Sequence, residues 1–336
     1  MKIKHINYIS ERQALQDLKE IYKHIKLNFG TVAEPFVLHS LDAKLTAGIW
    51  VLLYETVIIS NKVERSLKEA IATCVSEINK CTFCVDAHSI MLFGTDKKLI
   101  DKISKIKNSK IDLDSKTDNI INWALKSNKL DGEVTKIQPF TKEEAEEIIG
   151  TVILFNYINR MVAIFAHKTP LPMSFMKKQM QNIASKFIFN KAILKTKRKG
   201  ESLKFLTDEY KQKYVDKTIN YSEIKIALEN FSFQIQHNIK DIISEELKLL
   251  LEKEAKKLHL LNDSLGKEKL FSFLQKVKNK DRQIAEFCFL VMFSPYKIYE
   301  KHINFLKQNY NDKEILYISS FCSFIIAENI GIYFNY

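Results

Sequence analysis

Apolar side chains recur every three or four positions along most of the chain, the spacing that puts them on one face of an α-helix. An N-terminal stripe of this kind stops at Gly30 and consists of Leu15, Leu18, Ile21, Tyr22 and Ile25. Strand-like alternation is rare, and the chain has only 8 glycines and 5 prolines. A sandwich or barrel of many short strands needs far more turn residues than this. The pattern therefore predicts an all-α fold.

The segment KLTAGIWVLLYETVIIS, residues 44–60, is the main place where strand and helix compete. Its β-branched residues favour a buried strand. Its length and the spacing of its larger apolar residues favour a helix instead, and these residues are Ala47, Trp50, Leu53, Tyr54 and Val57. We predict a helix here.

Two long apolar stretches begin with helix-capping residues and are predicted to be central helices. The first starts at Thr141 with Glu144 three positions later, which is a capping-box pattern. The second starts at Asn311 or Asp312 and runs close to the C-terminus. Each contains eleven residues bounded by Phe, FNYINRMVAIF and FIIAENIGIYF. This likeness predicts an internal duplication with a degenerate second copy, although any two buried helices share such features.

The chain is expected to divide into a helical domain at residues 1–190, a basic linker at 191–215 and a second helical unit at 216–336. The stretch AHKTPLPMSFMKK contains two prolines and follows the first set of helical patterns. The second unit lacks a CxxC motif, and its cysteines, Cys288 and Cys322, are expected to stand alone in the core.

Composition places the chain among soluble globular proteins, since 46% of residues are apolar and 27% are charged. The N-terminus lacks the apolar core of a secretory signal. Polar residues interrupt both of the longest apolar runs, Glu55 in one and Asn156, Asn159 and Arg160 in the other, so we predict no membrane span. A cytoplasmic protein is expected. Asn159 and Arg160 need polar partners, and they would brace the active-site helices or an oligomer interface without a catalytic role.

The net charge of +12 raises the question of nucleic-acid binding. The densest basic run, LKTKRKGESLKFLTDEYKQK, also contains Glu201, Asp208 and Glu209. No aromatic ladder or known reader motif accompanies it. A solvated linker is the better interpretation, and we do not expect a nucleic-acid partner.

The segment KEAIATCVSEINKCTFCVDAHSIMLFG, residues 68–94, holds three of the chain's five cysteines. An odd number spread over a long chain does not indicate a disulfide framework, and Cys74 lies on the apolar stripe of its helix like a small buried hydrophobe. This helix is predicted to end near Asn79 and Lys80. If a new helix starts near Cys81, then Cys81, Cys84 and His88 share one face. A helix N-terminus and an imidazolium both lower the pKa of a thiol, so this arrangement suits thiol–disulfide exchange.

A zinc site is the alternative use of these residues. Cys81, Cys84 and His88 would supply three ligands, and Glu69 would supply the fourth. Structural zinc sites commonly use a second close pair of Cys or His residues, which the sequence lacks. We therefore expect neither a metal nor another cofactor.

The pattern E-x11-C-x2-C-x3-H resembles the alkylhydroperoxidase D-like group of the carboxymuconolactone decarboxylase superfamily, and it is formed by Glu69, Cys81, Cys84 and His88. The flanking letters PFVLHS, AGIW and FNYINRM are similar to that group as well, so the resemblance extends over roughly residues 30–170. It implies a helical bundle, a homo-oligomer, and a thiol-dependent peroxidase or disulfide oxidoreductase. The substrate would be a hydroperoxide or a disulfide, and the reductant would be a dithiol or a protein thiol.

The same resemblance implies a role for each site residue. Cys84 would attack the peroxide, and Cys81 would donate a proton and resolve the sulfenic acid. His88 and Glu69 would relay protons. The helix dipole alone favours Cys81 as the more acidic thiol, whereas the position of His88 one turn after Cys84 favours Cys84.

The residue before the second cysteine of the motif leaves other functions open. The chain carries Phe83 where the best-known peroxidases of the group have histidine. A non-enzymatic helical interaction module that retains the site by descent is the main alternative. Decarboxylase chemistry has less support, because the decarboxylases of the superfamily lack the cysteine pair.

Overall fold

The computed structural model describes residues 3–109, 113–128, 137–167, 197–206, 221–261 and 267–335. Within these ranges the regular structure is helical, and the only paired extended backbone is an isolated bridge between Ile3 and Ala166. The predicted all-α fold is confirmed.

The helices described up to residue 167 form the part of the molecule that carries the CxxC motif. They are α1 (Gln16–Phe29), α2 (Glu34–Val37), α3 (Ala43–Leu53), α4 (Arg65–Ile78), α5 (Thr82–Thr95), α6 (Lys97–Lys107), α7 (Lys116–Ala124) and α8 (Lys142–Phe165). The helices described after residue 220 are α9 (Glu223–Ile239), α10 (Glu245–Ala255), α11 (Lys267–Leu274), α12 (Arg282–Phe293), α13 (Glu300–Leu306) and α14 (Asp312–Tyr333).

The segment in which strand and helix competed is helical. Asp42 begins α3, because its side chain accepts hydrogen bonds from the backbone N–H groups of Lys44 and Leu45 at 2.8 and 3.1 Å. The helix then continues as a single π-helical turn at Tyr54–Ile58. Its large side chains are buried on all sides, so burial accounts for the run of β-branched residues that resembled a strand.

The two long apolar helices, α8 and α14, lie against each other at the centre of the molecule. The predicted capping box of Thr141 with Glu144 is confirmed in α8. In α14 the predicted polar cap is Asn311, which forms a capping box with Glu314. By length and composition alone, each helix is long and apolar enough to cross a membrane. Within the described structure, 94% of the apolar window in α8 and 78% of that in α14 are buried, as is typical of core helices.

The domain division and the internal duplication both stay predictions. The expected linker, residues 191–215, lies mostly outside the described residues, as does most of the AHKTPLPMSFMKK stretch. The described part, 197–206, is held against the N-terminal helices by Glu55, which accepts hydrogen bonds from the Ser202 hydroxyl at 2.6 Å and the Gly200 N–H at 2.9 Å. The core formed by α8 and α14 joins residues from both sides of the expected boundary.

A buried histidine connects three segments of this core. The Nδ1 atom of His39 lies 2.7 Å from the Pro35 carbonyl oxygen, and Nε2 lies 2.7 Å from the Tyr157 hydroxyl on α8. Tyr157 is in turn 3.1 Å from the hydroxyl of Ser320 on α14. Complete burial lowers the pKa of His39 from 6.5 to about 4, so the folded protein keeps this ring neutral.

The titration of His39 predicts acid sensitivity of the fold. Above pH 6.5 the ring is neutral in both states, and between pH 6.5 and about 4 only the unfolded chain takes up the proton. At about 1.4 kcal/mol for each pH unit, we expect the free energy of unfolding to fall by about 3 kcal/mol across this window. Urea unfolding of the wild type and of His39→Gln at several pH values measures the effect. Equal pH dependence in the two proteins would contradict it.

Candidate active site

The turn between α4 and α5 positions the CxxC motif. Lys80 adopts the left-handed conformation, with φ of 57°, directly after the C-terminus of α4. The N–H of Cys81 then donates to the carbonyl oxygen of Ser76 at 2.9 Å, and Cys81 is the N-cap of α5. The predicted helix break at residues 79–80 and the new helix near Cys81 are confirmed.

The two thiols of the motif face each other across the first turn of α5. Their sulfur atoms are 2.6 Å apart, and no disulfide joins them. Cys81 is 4% exposed and Cys84 is 2% exposed. A disulfide has a sulfur–sulfur bond of about 2.05 Å, so a small movement of the side chains brings the two sulfur atoms to bonding distance.

The carboxylate of Glu69 and the imidazole of His88 form a hydrogen-bonded pair beside the thiols. His88 Nδ1 lies 2.6 Å from Glu69 Oε2, and Arg65 Nε donates to Glu69 Oε1 at 3.2 Å. Burial raises the pKa of the Glu69 carboxyl, but the hydrogen bonds and charges of His88 and Arg65 outweigh burial and lower this pKa below its ordinary value. Glu69 is therefore ionised, and it fixes His88 in the tautomer that carries the proton on Nδ1.

The second nitrogen of His88 is free for proton transfer. Among the described residues, no group forms a hydrogen bond with His88 Nε2, and the ring rests edge-on against Phe155 with centroids 4.5 Å apart. His88 follows Cys84 by four positions on α5, so both side chains lie on one face of the helix. An imidazole held in this way can take a proton from the thiol and return it.

Asn159 of α8 completes the surroundings of Cys84. Its side chain forms a hydrogen bond with the Cys84 thiol, accepts one from Asn79 at 3.0 Å and donates one to Ser76 at 3.0 Å. Its predicted bracing role is therefore confirmed by the contacts with the turn before Cys81. Sequence reasoning connected Asn159 with the active-site helices but missed its interaction with Cys84 itself.

Arg65 is the second site residue that sequence reasoning missed. The available signal was its position four residues before Glu69, which places the two side chains on one face of α4. By holding Oε1 of Glu69, Arg65 keeps the carboxylate ionised and leaves Oε2 for His88.

The expected effect of the helix terminus on thiol acidity is wrong for Cys84. Burial raises the pKa of the Cys84 thiol well above its ordinary value, and its hydrogen bond and electrostatic interaction with Cys81 raise it further. The hydrogen bond from Asn159 lowers it, but by less than burial raises it. Formation of a thiolate at Cys84 thus requires a base. His88, which lies one turn further along α5 and is held by Glu69, is the candidate.

The other three cysteines lie in the core, as expected. Burial raises the pKa of Cys74, which is fully enclosed on α4. The expectation that Cys288 and Cys322 stand alone is wrong, because their thiols are hydrogen-bonded between α12 and α14. Sequence could not show this, since the two residues are separated along the chain and meet only through helix packing.

The structure gives no support to the zinc alternative. Within the described ranges, no group of three or more His, Cys, Asp or Glu side chains is arranged to hold a metal ion. Glu69 is engaged by His88 and Arg65 rather than directed at the two sulfur atoms.

The variant Glu69→Gln tests the proposed base. A neutral amide lowers the basicity of His88, so we expect alkylation of the CxxC thiols by iodoacetamide at pH 7 to slow by at least about tenfold. Mass spectrometry of the tryptic peptide 81–97 measures the rate. The matched control is Glu77→Gln on the same helix, whose carboxylate pairs with Lys107 at 2.6 Å. Equal alkylation rates in the two variants would contradict the relay.

Comparison with known proteins provides one distant relative. The chain is 28% identical over 204 residues to alkyl hydroperoxide reductase Rv2159c of Mycobacterium tuberculosis. The matched part is 61% of this chain and 58% of that protein. No family model and no solved structure matches the chain. The similarity and the all-α fold together support a distant alkylhydroperoxidase D-like relationship.

Proposed function

We propose that this chain is a cytoplasmic, thiol-dependent peroxidase of the alkylhydroperoxidase D-like type. The observation that carries the proposal is the pair of facing thiols, 2.6 Å apart, beside His88 and the ionised Glu69 carboxylate that holds it. The name of the distant relative supports the same reaction class. We also propose that the protein works as a homo-oligomer, with a dithiol or a protein thiol as reductant.

In the first step Cys84 is oxidised. His88 Nε2 accepts the thiol proton, and the Cys84 thiolate attacks the distal oxygen of a hydroperoxide ROOH. The O–O bond breaks as the S–O bond forms, which gives Cys84–SOH and the alkoxide RO⁻. A proton returned by His88 converts the alkoxide into the alcohol ROH. The peroxide is thereby reduced by two electrons, and the sulfur atom is oxidised by two.

In the second step the cysteine pair closes. The Cys81 sulfur attacks the Cys84 sulfenic acid, and the products are the Cys81–Cys84 disulfide and one molecule of water. A dithiol then reduces this disulfide by thiol–disulfide exchange and becomes a disulfide itself. The short distance between the two sulfur atoms favours rapid closure, which protects Cys84 against further oxidation.

The geometry favours Cys84 as the attacking residue. The hydrogen bond from Asn159 stabilises a negative charge on the Cys84 sulfur, and His88 lies one turn further along the same helix. Cys81 is the more exposed of the pair and sits at the helix N-cap, a position suited to a thiol that later meets an external reductant.

Mass spectrometry tests the proposal directly. Treatment of the reduced protein with one equivalent of tert-butyl hydroperoxide is expected to lower the mass of peptide 81–97 by two hydrogen atoms, and a dithiol should restore it. Cys74 lies in a different tryptic peptide and serves as the internal control. A peptide that stays reduced, in a protein that forms a stable complex with another protein, would favour the interaction module instead.

A further inference from the structure

A cavity of about 320 Å³ lies next to the CxxC motif. The turn before Cys81 and the end of α7 form one side, and α8 and the segment after α12 form the other. Asn159 lines this cavity and also interacts with the Cys84 thiol, so a single side chain lies between the cavity and the Cys84 sulfur.

A buried arginine supplies the charge of this cavity. Arg160 lines it and is 3% exposed. Its Nε donates to the Met292 carbonyl oxygen at 3.0 Å, and Nη1 donates to the carbonyl and side-chain oxygens of Asn156 at 2.6 and 3.1 Å. Within the described part of the chain, no carboxylate forms an ion pair with the guanidinium, and burial alone lowers the pKa of Arg160 to about 9.

The remaining charges of the cavity do not neutralise Arg160. The one acidic residue in the lining, Glu77, is paired with Lys107 at 2.6 Å. Lys80 adds a second positive charge, with its amine 5.2 Å from the centre of the Tyr296 ring. The rest of the wall is mostly apolar and includes Ile78, Leu125, Leu261, Phe293, Pro295 and Tyr296.

A buried cation without a counter-ion is costly, because desolvation is not offset by a charge of opposite sign. An arginine fork is suited to a carboxylate, which accepts two parallel hydrogen bonds from it. The apolar wall provides an environment for a hydrocarbon chain attached to that carboxylate.

We propose that this cavity binds an amphipathic carboxylate, and that the peroxide reduced at Cys84 is an organic hydroperoxide that also carries a carboxylate group. Arg160 binds the carboxylate, the apolar wall contacts the carbon chain, and the hydroperoxide is thereby held near Cys84. The assignment of a carboxylated hydroperoxide as substrate rests on the proposed peroxidase function. The binding of a carboxylate in the cavity does not depend on that function.

Calorimetry on the reduced wild-type protein tests the site without any turnover. Octanoate is expected to bind at least about tenfold more tightly than octanamide, which has the same shape and no charge, because an ion pair replaces an unpaired buried cation. Arg160→Gln should remove the preference and Arg160→Lys should restore part of it. Lys80→Gln, an exposed change that does not threaten folding, should reduce the preference about twofold to threefold.

Equal affinity for the acid and the amide in the wild type would overturn the proposed binding site, whatever the Arg160 variants do.

A second measurement determines whether the cavity serves the peroxide substrate or the reductant. Octanoate should slow oxidation of Cys84 by a carboxylated hydroperoxide and leave reduction of the disulfide by dithiothreitol unchanged. Slowed reduction would assign the site to the reductant and overturn the substrate proposal. Oxidation of Cys84 by tert-butyl hydroperoxide, which carries no carboxylate, tests the peroxidase function separately.

Discussion

Cys84→Ser is expected to abolish peroxide turnover with a dithiol reductant, lowering kcat/KM by at least about a thousandfold. A serine hydroxyl at this buried position does not ionise at neutral pH, so the nucleophile of the first step is lost. His88, Glu69 and the cavity remain in place, which separates loss of the nucleophile from loss of the site. The rate of consumption of tert-butyl hydroperoxide, followed with excess dithiothreitol, measures the effect.

The partner variant distinguishes the two cysteines. Cys81→Ser should consume a single equivalent of peroxide and stop at the sulfenic acid, which a dimedone adduct on Cys84 reveals. Cys74→Ala is the matched control, because Cys74 is buried on α4 and forms no part of the pair, and its turnover should equal that of the wild type. Normal turnover by Cys84→Ser, or a dimedone adduct on Cys81 in that variant, would show that the assignment is wrong.

Glu147→Leu is expected to cost the fold about 3–5 kcal/mol, the largest effect on stability that the structure predicts. Glu147 on α8 accepts hydrogen bonds from the Lys62 and Val63 N–H groups at 2.8 and 3.3 Å and from the Lys68 amine at 2.7 Å. Lys68 is completely buried beside Glu69 and also donates to the Ile59 carbonyl oxygen. Removal of the carboxylate leaves the buried Lys68 ammonium without its ion-pair partner.

Urea unfolding measures this loss in the free energy of unfolding. A double-mutant cycle shows whether the loss comes from the interaction between Glu147 and Lys68. Lys68→Met should cost a similar amount, and the double variant should lose much less than the two single losses together, because neither charge is then left unpaired. Glu11→Gln is the matched control, since its ion pair with Lys26 is largely exposed, and it should cost less than about 1 kcal/mol. A Glu147→Leu protein as stable as this control would contradict the prediction.

Much of the candidate site was predictable because its geometry is local. Cys81, Cys84 and His88 share a face of α5 by their spacing alone, and the end of α4 near Lys80 was evident from the hydrophobic pattern. Glu69 was chosen through the resemblance to a family, and the structure places it in contact with His88. The catalytic roles of these residues stay predictions until the variants are measured.

The parts that sequence reasoning missed depend on helices that are distant along the chain. Asn159 reaches Cys84 only because α8 packs against α4 and α5. Cys288 meets Cys322 only because α12 packs against α14. Neither contact has a signature in residue spacing, since spacing determines which residues share a face and not which faces meet.

The sequence by itself determined the all-α fold, the capped ends of its long helices and the shared face of the CxxC motif and His88. Each of these follows from interactions within a few residues, where helical periodicity and capping act. The tertiary structure alone decided the acidity of Cys84 and the unpaired charge of Arg160 in the neighbouring cavity. Desolvation and pairing of a buried group depend on every element packed around it, so local spacing cannot determine them.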